Sequence, residues 1–471
     1  MKKAISLELP LEEMQKMGEA AVKAALDHIL KLPQSPSHNL DNAGEVVASL
    51  KEPPPEKGMD FDNLLDLLMN KVIPVSLTTP HPSYMAYIPG GGLCPSAIGD
   101  FLGAATNRFA GASFAAPAAS RLEANVLDWF ARWMGYPASA RGILTSGGSL
   151  ANFSAIVAAR RYLLGEDIHK GTLYTTDQAH HCILKSAILA GIPEKNVRLL
   201  GTDGRFRAVP ERFEKAIEED RGRGLNPFLI IGTAGTTNTG AVDPIHDLAD
   251  LARKHGLWYH LDAAYGGFFN LCEKGRKKLC GIESSDSVVL DPHKGLFLPY
   301  GSGSLIVKEG ERLRRAHMLT ADYMQDLPTA EGDISPTEYS PELSRSFRGL
   351  RVWFPLKLFG VQAFRENLEE KLELTEWLHR NLEKEPGFEF PAEPELSIIP
   401  FRFRPPRGDA DEFNRKLLKN INGTKKLFLS STMLRGEFTI RICILSFRTH
   451  MEQVEEAFEI ITSEARNLAK G

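Results

Sequence analysis

Lys294 closes the segment Ser287-Val-Val-Leu-Asp-Pro-His-Lys294, directly behind a short apolar, β-rich run. A lysine at the carboxyl end of a buried strand is not a solvated charge. Desolvation there lowers its pKa toward the free amine that a Schiff base requires. Asp262 lies 32 residues earlier, at the end of a second apolar run in Trp258-Tyr-His-Leu-Asp-Ala-Ala-Tyr265. Read alone, it caps the turn that follows. A carboxylate in that position is costly without a partner, and a protonated pyridine nitrogen, kept charged so that the ring stays an electron sink, is such a partner. The spacing is close to one strand–helix–strand crossover, which lets both strand ends face one pocket.

Three more features sit behind β-rich runs. Thr145-Ser-Gly-Gly-Ser-Leu-Ala-Asn152 opens a helical pattern with Leu150, Phe153 and Val157 on one face, so the N–H groups at Gly148 and Ser149 can approach a phosphate. It is neither the dinucleotide fingerprint nor the Gly-Lys-Ser/Thr nucleotide loop, and read alone it is a turn and cap. Asp177-Gln-Ala-His-His181 offers a histidine able to stack on a flat ring, or else a surface loop. Gly232-Thr-Ala-Gly-Thr-Thr-Asn-Thr-Gly240 is a turn, or a source of polar contacts to a ring or substrate. A phosphate nest, a histidine, a hydroxyl-rich loop, an acid and a lysine, in that order and each at a strand end, point together to pyridoxal 5'-phosphate.

The elements that must position these residues are runs at 142–145, 172–175, 197–200, 228–231, 257–261, 287–290 and 303–307, alternating with helical stretches. That alternation predicts an α/β fold with a mostly parallel central sheet and helices on both faces, its ligand beyond the carboxyl ends of the strands. Met14, Met17, Ala21, Val22, Ala25 and Ile29 predict an amphipathic helix over 11–31 that needs a surface to cover. Proline-rich residues 32–58 read as an irregular linker, and Phe61 to Ile73 resumes a helical pattern. After a long helix near 350–385, strands are expected at 397–403, 427–430 and 438–445. A last helix opens at Thr449-His-Met-Glu452, which has the capping-box spacing. The chain divides accordingly into a helical N-terminal arm (1–85), a large domain (86–350) and a small α+β domain (351–471).

The composition fits a small-molecule enzyme. Across 471 residues, 56 Lys and Arg against 60 Asp and Glu leave a net charge of -4, which gives no field directed at nucleic acid or anionic membrane. Five scattered cysteines, Cys94, Cys182, Cys272, Cys280 and Cys443, contain no C-x-x-C pair, so neither a disulfide framework nor a metal site is indicated and a reducing cytoplasm fits. No signal-peptide pattern and no 18-residue apolar run is present.

With these residues in view, the chain resembles the group II pyridoxal-phosphate-dependent decarboxylases, above all the aromatic-L-amino-acid decarboxylase branch. The resemblance is carried by His81-Pro-Ser-Tyr-Met-Ala-Tyr-Ile-Pro89, Ser146-Gly-Gly-Ser149, Asp177-Gln-Ala-His180, Gly235-Thr-Thr237, His260-Leu-Asp-Ala-Ala-Tyr265 and Pro292-His-Lys294. It implies a fold-type I enzyme and a homodimer with its active site at the subunit interface, the N-terminal arms intertwined. It implies that Gly148 and Ser149 hold the phosphate with help from His293, and that His180 stacks on the ring. Thr237, Ala264 and Asp291 line the cofactor, Asp262 pairs with the ring nitrogen, and Lys294 carries the Schiff base. Tyr323, in Leu319-Thr-Ala-Asp-Tyr-Met, matches the loop tyrosine that protonates the substrate carbon. Tyr87, Ile88, Pro89 and Phe109 are the implied substrate pocket.

The chain departs from the family pattern in three places. Asp291 stands where Asn is frequent, Gly90 replaces a frequent Thr, and Phe109-Ala-Gly-Ala-Ser-Phe-Ala-Ala-Pro117 carries small residues where aromatic-specific members have larger ones. The expected reaction is decarboxylation of an L-amino acid, aromatic by the resemblance, to its amine. An acidic substrate met by Arg108, oxidative deamination to an aldehyde (against which Tyr323 argues), transamination or carbon–sulfur cleavage on the same fold, and a non-catalytic binding protein are the alternatives.

Overall fold

The computed structural model describes residues 6–318 and 334–470. Seven short segments whose residues are nearly all buried form its central sheet: β1 (Arg141–Thr145), β2 (Gly171–Thr176), β3 (Val197–Leu200), β4 (Asn226–Thr233), β5 (Trp258–Asp262), β6 (Ser287–Leu290) and β7 (Gly303–Val307). Their order is β1-β7-β6-β5-β4-β2-β3, parallel except that β7 runs against both neighbours. A parallel sheet is covered on both faces, which is why these runs read as continuously apolar rather than alternating. The alternation survives as two cores. Tyr259, Leu261, Val288 and Leu290 pack on one face, Trp258 and Val289 on the other.

Five helices matter to the site. Among the described residues, α1 (Leu11–Lys31) buries none of its own side chains and exposes Leu11, Val22, Leu26 and Leu30. α2 (Cys94–Thr106) and α3 (Pro117–Trp133) pack against the first part of α5 (Arg348–Glu383), and α4 (Gly148–Leu163) covers one face of the sheet. α5 is two helices joined at Gly360, whose φ of 73° and ψ of 161° no helix interior adopts. Beyond that joint it packs on a four-stranded antiparallel sheet of β8 (Phe388–Glu389), β9 (Ile398–Phe403), β10 (Ser430–Leu434) and β11 (Glu437–Cys443), ordered β8-β9-β11-β10. α6 (Met451–Lys470) ends the described chain.

Three expectations are corrected. The apolar run at 427–430 is not a strand: Leu427 and Leu429 are buried in the small core, Phe428 makes one bridge to Tyr84, and the strand begins at Ser430 on the polar edge. Thr449 does not cap the last helix. Its hydroxyl donates to the Pro82 carbonyl, and the cap is His450, whose N–H donates to Gln453 Oε1 at 2.9 Å. Residues 32–58 are more ordered than a linker, with a helix at Ala43–Ser49 and a two-residue pairing of His38–Asn39 with Ser76–Leu77.

A buried ion pair ties α3 to the start of α5. Arg345 Nη1 donates to Glu123 Oε1 at 2.5 Å and its Nη2 to the Leu144 carbonyl at 2.9 Å, while Glu123 Oε2 accepts from Gly349 N–H. Both side chains are essentially inaccessible. Glu123→Ala strands the guanidinium and is expected to cost about 3–5 kcal/mol, read as a lower urea midpoint. A change below about 0.5 kcal/mol contradicts that weight.

Candidate active site

The carboxyl ends of β1, β2, β4, β5 and β6 surround a cavity of about 400 Å³. Gly148, Ser149, His180, Thr237, Asp262, Ala264, Asp291, His293 and Lys294 all line it. It lies where β7 reverses direction, so that the end of β1 and the end of β6 both abut the start of β7: Thr145 is opposite Gly303, and Leu290 opposite Ser304. A Cβ on Gly303 would sit 2.5 Å from the Gly147 backbone and 2.8 Å from Asp291 Oδ1. Only glycine lets the three segments meet. Gly303→Ala is therefore expected to push the Gly147–Gly148 turn outward and cost about 1–3 kcal/mol. Ligand binding at this turn should weaken at least about tenfold, as 1.4 kcal/mol is tenfold; unchanged binding would remove the turn from the site.

Lys294 Nζ is 3.1 Å from Asp291 Oδ2, and His293 Nε2 is 3.7 Å from the same oxygen. Burial pulls the Lys294 amine down, as the sequence suggested, but the Asp291 carboxylate, then Asp262 and the hydrogen bond to Asp291, outweigh it and hold the amine above its ordinary value. The expected lowering of the Lys294 amine is thus corrected: beside Asp291 the balance runs upward. His180 is held below its ordinary value, chiefly by burial and against the pull of Asp262. Its Nδ1 accepts from Cys182 N–H at 3.3 Å, leaving the proton on Nε2. Asp262 takes one donor on each oxygen, Asn152 Nδ2 at 3.1 Å and Ala264 N–H at 3.2 Å.

A strand-end lysine, an acid with both oxygens oriented, a neutral histidine and a bare helix start are what pyridoxal phosphate requires. Comparison with known proteins agrees. Residues 44–404 match the model of the pyridoxal-dependent decarboxylase conserved domain. The chain belongs to the pyridoxal-dependent decarboxylases. It is 35% identical over 454 residues, 95% of both chains, to an aromatic-L-amino-acid decarboxylase of Bacillus atrophaeus. It is 31% identical to tyrosine decarboxylase 2 of Arabidopsis thaliana, over 98% of this chain and 88% of that protein. Its fold superimposes with a TM-score of 0.93 on the crystal structure of Oryza sativa TDC with PLP and tryptamine, at 26% identity over 98% of this chain and 99% of that one.

The residues of this decarboxylase fit the cofactor. Gly148 and Ser149 open a 16-residue helix whose first N–H groups have no partner within the helix. Asp291 Oδ1 and Thr233 Oγ1, both on residues lining the cavity, are buried without hydrogen-bond partners among the described residues. His293 Nδ1 donates to the Ser302 carbonyl, and burial keeps the ring below its ordinary value, so Nε2 donates to a phosphate only after taking up a second proton. When bound, the cofactor supplies a sink for the electron pair left as carbon dioxide departs.

The decarboxylase does not gather every implied residue here. Tyr87, Ile88, Pro89 and Phe109 are not among the cavity's lining residues: Ile88 is packed in the main core, Pro89 is buried, and Tyr87 and Phe109 are exposed. Tyr323 lies outside the described residues. The glycine at 90 has a local cause, because a Cβ there would meet the Tyr300 ring at 2.7 Å. Tyr300 fills the space a threonine would need. Asn152, Cys182 and Tyr265 also line the cavity and were given no role from sequence; only the helical offset of Asn152, one turn past Gly148, could have pointed to it.

Proposed function

We propose that this enzyme removes the α-carboxylate of an aromatic L-amino acid to give the amine. The reading is carried by one observation: Lys294, Asp262, His180 and the Gly148–Ser149 helix start, from four strand ends, line one cavity. The aromatic side chain is supported by the activities for which the Bacillus and Arabidopsis relatives are named and by the tryptamine in the Oryza structure. Gly148 and Ser149 hold the phosphate, with Thr237, Ala264, Asp291 and His293 around it. His180 lies against the ring, and Asp262 holds the proton of the ring nitrogen. Lys294 would carry the cofactor, and its amine would hold and move protons in the site. Tyr323 returns a proton to the α carbon. Tyr87 and Phe109, exposed in the single chain, bound the side chain once a second subunit is in place, while Ile88 and Pro89 support them from within.

That second subunit belongs to the same reading. The enzyme is a homodimer with its site at the interface, for which the uncovered apolar side of α1 speaks. The arm is 1–85, the large domain 86–350 and the small domain 351–471, with α5 crossing the second boundary. No described helix is long and apolar enough to cross a membrane, and free, scattered cysteines suit a cytoplasmic enzyme. The decisive assay is carbon dioxide release from tryptophan, tyrosine, phenylalanine and DOPA beside glutamate, aspartate and cysteine sulfinate. Turnover of the aromatic set is expected, and turnover confined to the acidic set overturns the reading. Tyr323→Phe is expected to lose most amine output and release some aldehyde; unchanged amine removes Tyr323 from the mechanism.

A further inference from the structure

Trp258, His260 and Asp262 alternate along β5 on the face that α4 covers. Ser287, the first residue of β6, is the register partner of His260. Asn152 comes down from the first turns of α4. Trp258, Ser287, His260 and Asn152 are at most 1% exposed, so water does not complete their hydrogen bonds. The contacts join into one line. Trp258 Nε1 is 2.8 Å from Ser287 Oγ, Ser287 Oγ 2.8 Å from His260 Nδ1, His260 Nε2 2.8 Å from Asn152 Oδ1, and Asn152 Nδ2 3.1 Å from Asp262 Oδ2.

The chemistry of the two ends fixes the direction of the links between them. An indole N–H can only donate and a carboxylate oxygen can only accept, so Ser287 Oγ accepts from Trp258 and Asp262 Oδ2 accepts from the Asn152 amide nitrogen, which turns the amide oxygen to His260 Nε2. Burial holds the imidazole down to about 4, so it is neutral; facing an amide oxygen, Nε2 carries its one proton, and Nδ1 is left to accept from the Ser287 hydroxyl. Nε2–H then meets the amide oxygen of Asn152, and the amide nitrogen is left facing Asp262. Turning the amide over would set its NH₂ against the imidazole N–H and its oxygen against a carboxylate oxygen. The second amide hydrogen points to Cys182 Sγ at 3.5 Å.

We propose that Trp258, Ser287, His260 and Asn152 form a one-way donor relay that aims an N–H at Asp262 Oδ2 and fixes how its carboxylate meets the cofactor's ring nitrogen. Asn152 and His260 are positioning residues for the decarboxylation. The inference rests on the reading of Asp262 as the ring-nitrogen partner. Donors in series in a dry interior polarise one another, so a change at the far end is felt at Asp262. Simple satisfaction of buried polar groups would need no common direction, and here every link has the same one.

The first test reads the parent sequence, with a variant used for assignment alone. In the apoprotein, ¹⁵N spectra of the histidine rings, with His260 assigned from a His260→Gln sample, should show His260 as the Nε2–H tautomer alone at pH 6 to 8; the Nδ1–H tautomer overturns the relay. The second uses Asn152→Asp, which keeps the shape and removes the donor, and Ser287→Ala, which breaks the line two links away. Cofactor binding to apoprotein, followed by fluorescence, should weaken at least about tenfold for the first and about fivefold for the second, as expected for a lost hydrogen bond. With ring-¹⁵N cofactor, Asn152→Asp should move the ring nitrogen from the protonated toward the neutral signal. A merely structural role would change the melting point without moving that signal. If Asp262→Asn moves it and both relay variants leave it in place, the relay falls; if Asp262→Asn itself leaves it in place, the reading of Asp262 falls instead.

Discussion

Lys294→Ala is expected to give a colourless enzyme with no detectable decarboxylation after dialysis against free cofactor. The tethered amine makes exchange with the substrate amine intramolecular, and such tethering is equivalent to an effective concentration of about 10⁵ M or more. A loss of at least about four orders of magnitude follows. The geometry adds a secondary effect. Asp291, 2% exposed, has Lys294 Nζ at 3.1 Å as its ion-pair partner, and without it a buried carboxylate is left beside the Gly148 helix start. Cofactor affinity should fall as well as turnover, and Lys294→Ala with Asp291→Asn should recover affinity without recovering turnover. Methylamine, small enough for the vacated space, should restore a small fraction of activity. A variant that stays yellow and active after dialysis removes Lys294 from the chemistry.

The same pair shows where sequence reasoning meets its limit. That Lys294 follows a buried strand is legible, because Ser287-Val-Val-Leu290 is apolar on both faces and only a covered strand is so. That its amine is held up rather than down is not, since the outcome depends on Asp291 turning toward it within one turn of chain and on Asp262 arriving from the next strand. The parallel sheet is readable for a related reason: each run is short, rich in β-branched, aromatic or leucine side chains, and followed by glycine or a polar residue. Signals failed where local pattern and tertiary packing compete. Leu427-Phe-Leu429 is as apolar as a strand but is spent on the small core, and Thr449 has capping chemistry but a nearer carbonyl on Pro82. Asn152 is the instructive case at the site. Mid-helix asparagine reads as a mild helix breaker, and its value becomes visible only when β5 brings His260 and Asp262 beneath it.

Asp262→Asn is expected to separate holding the cofactor from using it. The substitution keeps size and shape, and Lys294 remains to bind the cofactor covalently, so the protein should still be coloured. The amide, however, has to place its NH₂ somewhere. Oδ1 of Asp262 receives the Ala264 N–H and Oδ2 receives Asn152 Nδ2. An asparagine satisfies one of these donors and opposes the other, whichever way it turns, at a cost of about 1–3 kcal/mol. The larger effect is electrical. A neutral amide no longer holds a charge on the ring nitrogen, and breaking a buried charge pair costs about 3–5 kcal/mol. Since 1.36 kcal/mol is tenfold in rate, turnover should drop by about three orders of magnitude, with the larger share in kcat because the pyridinium is needed most as carbon dioxide leaves. Turnover within tenfold of the parent would mean that Asp262 is a strand-end cap after all, and that the electron sink is maintained by some other group.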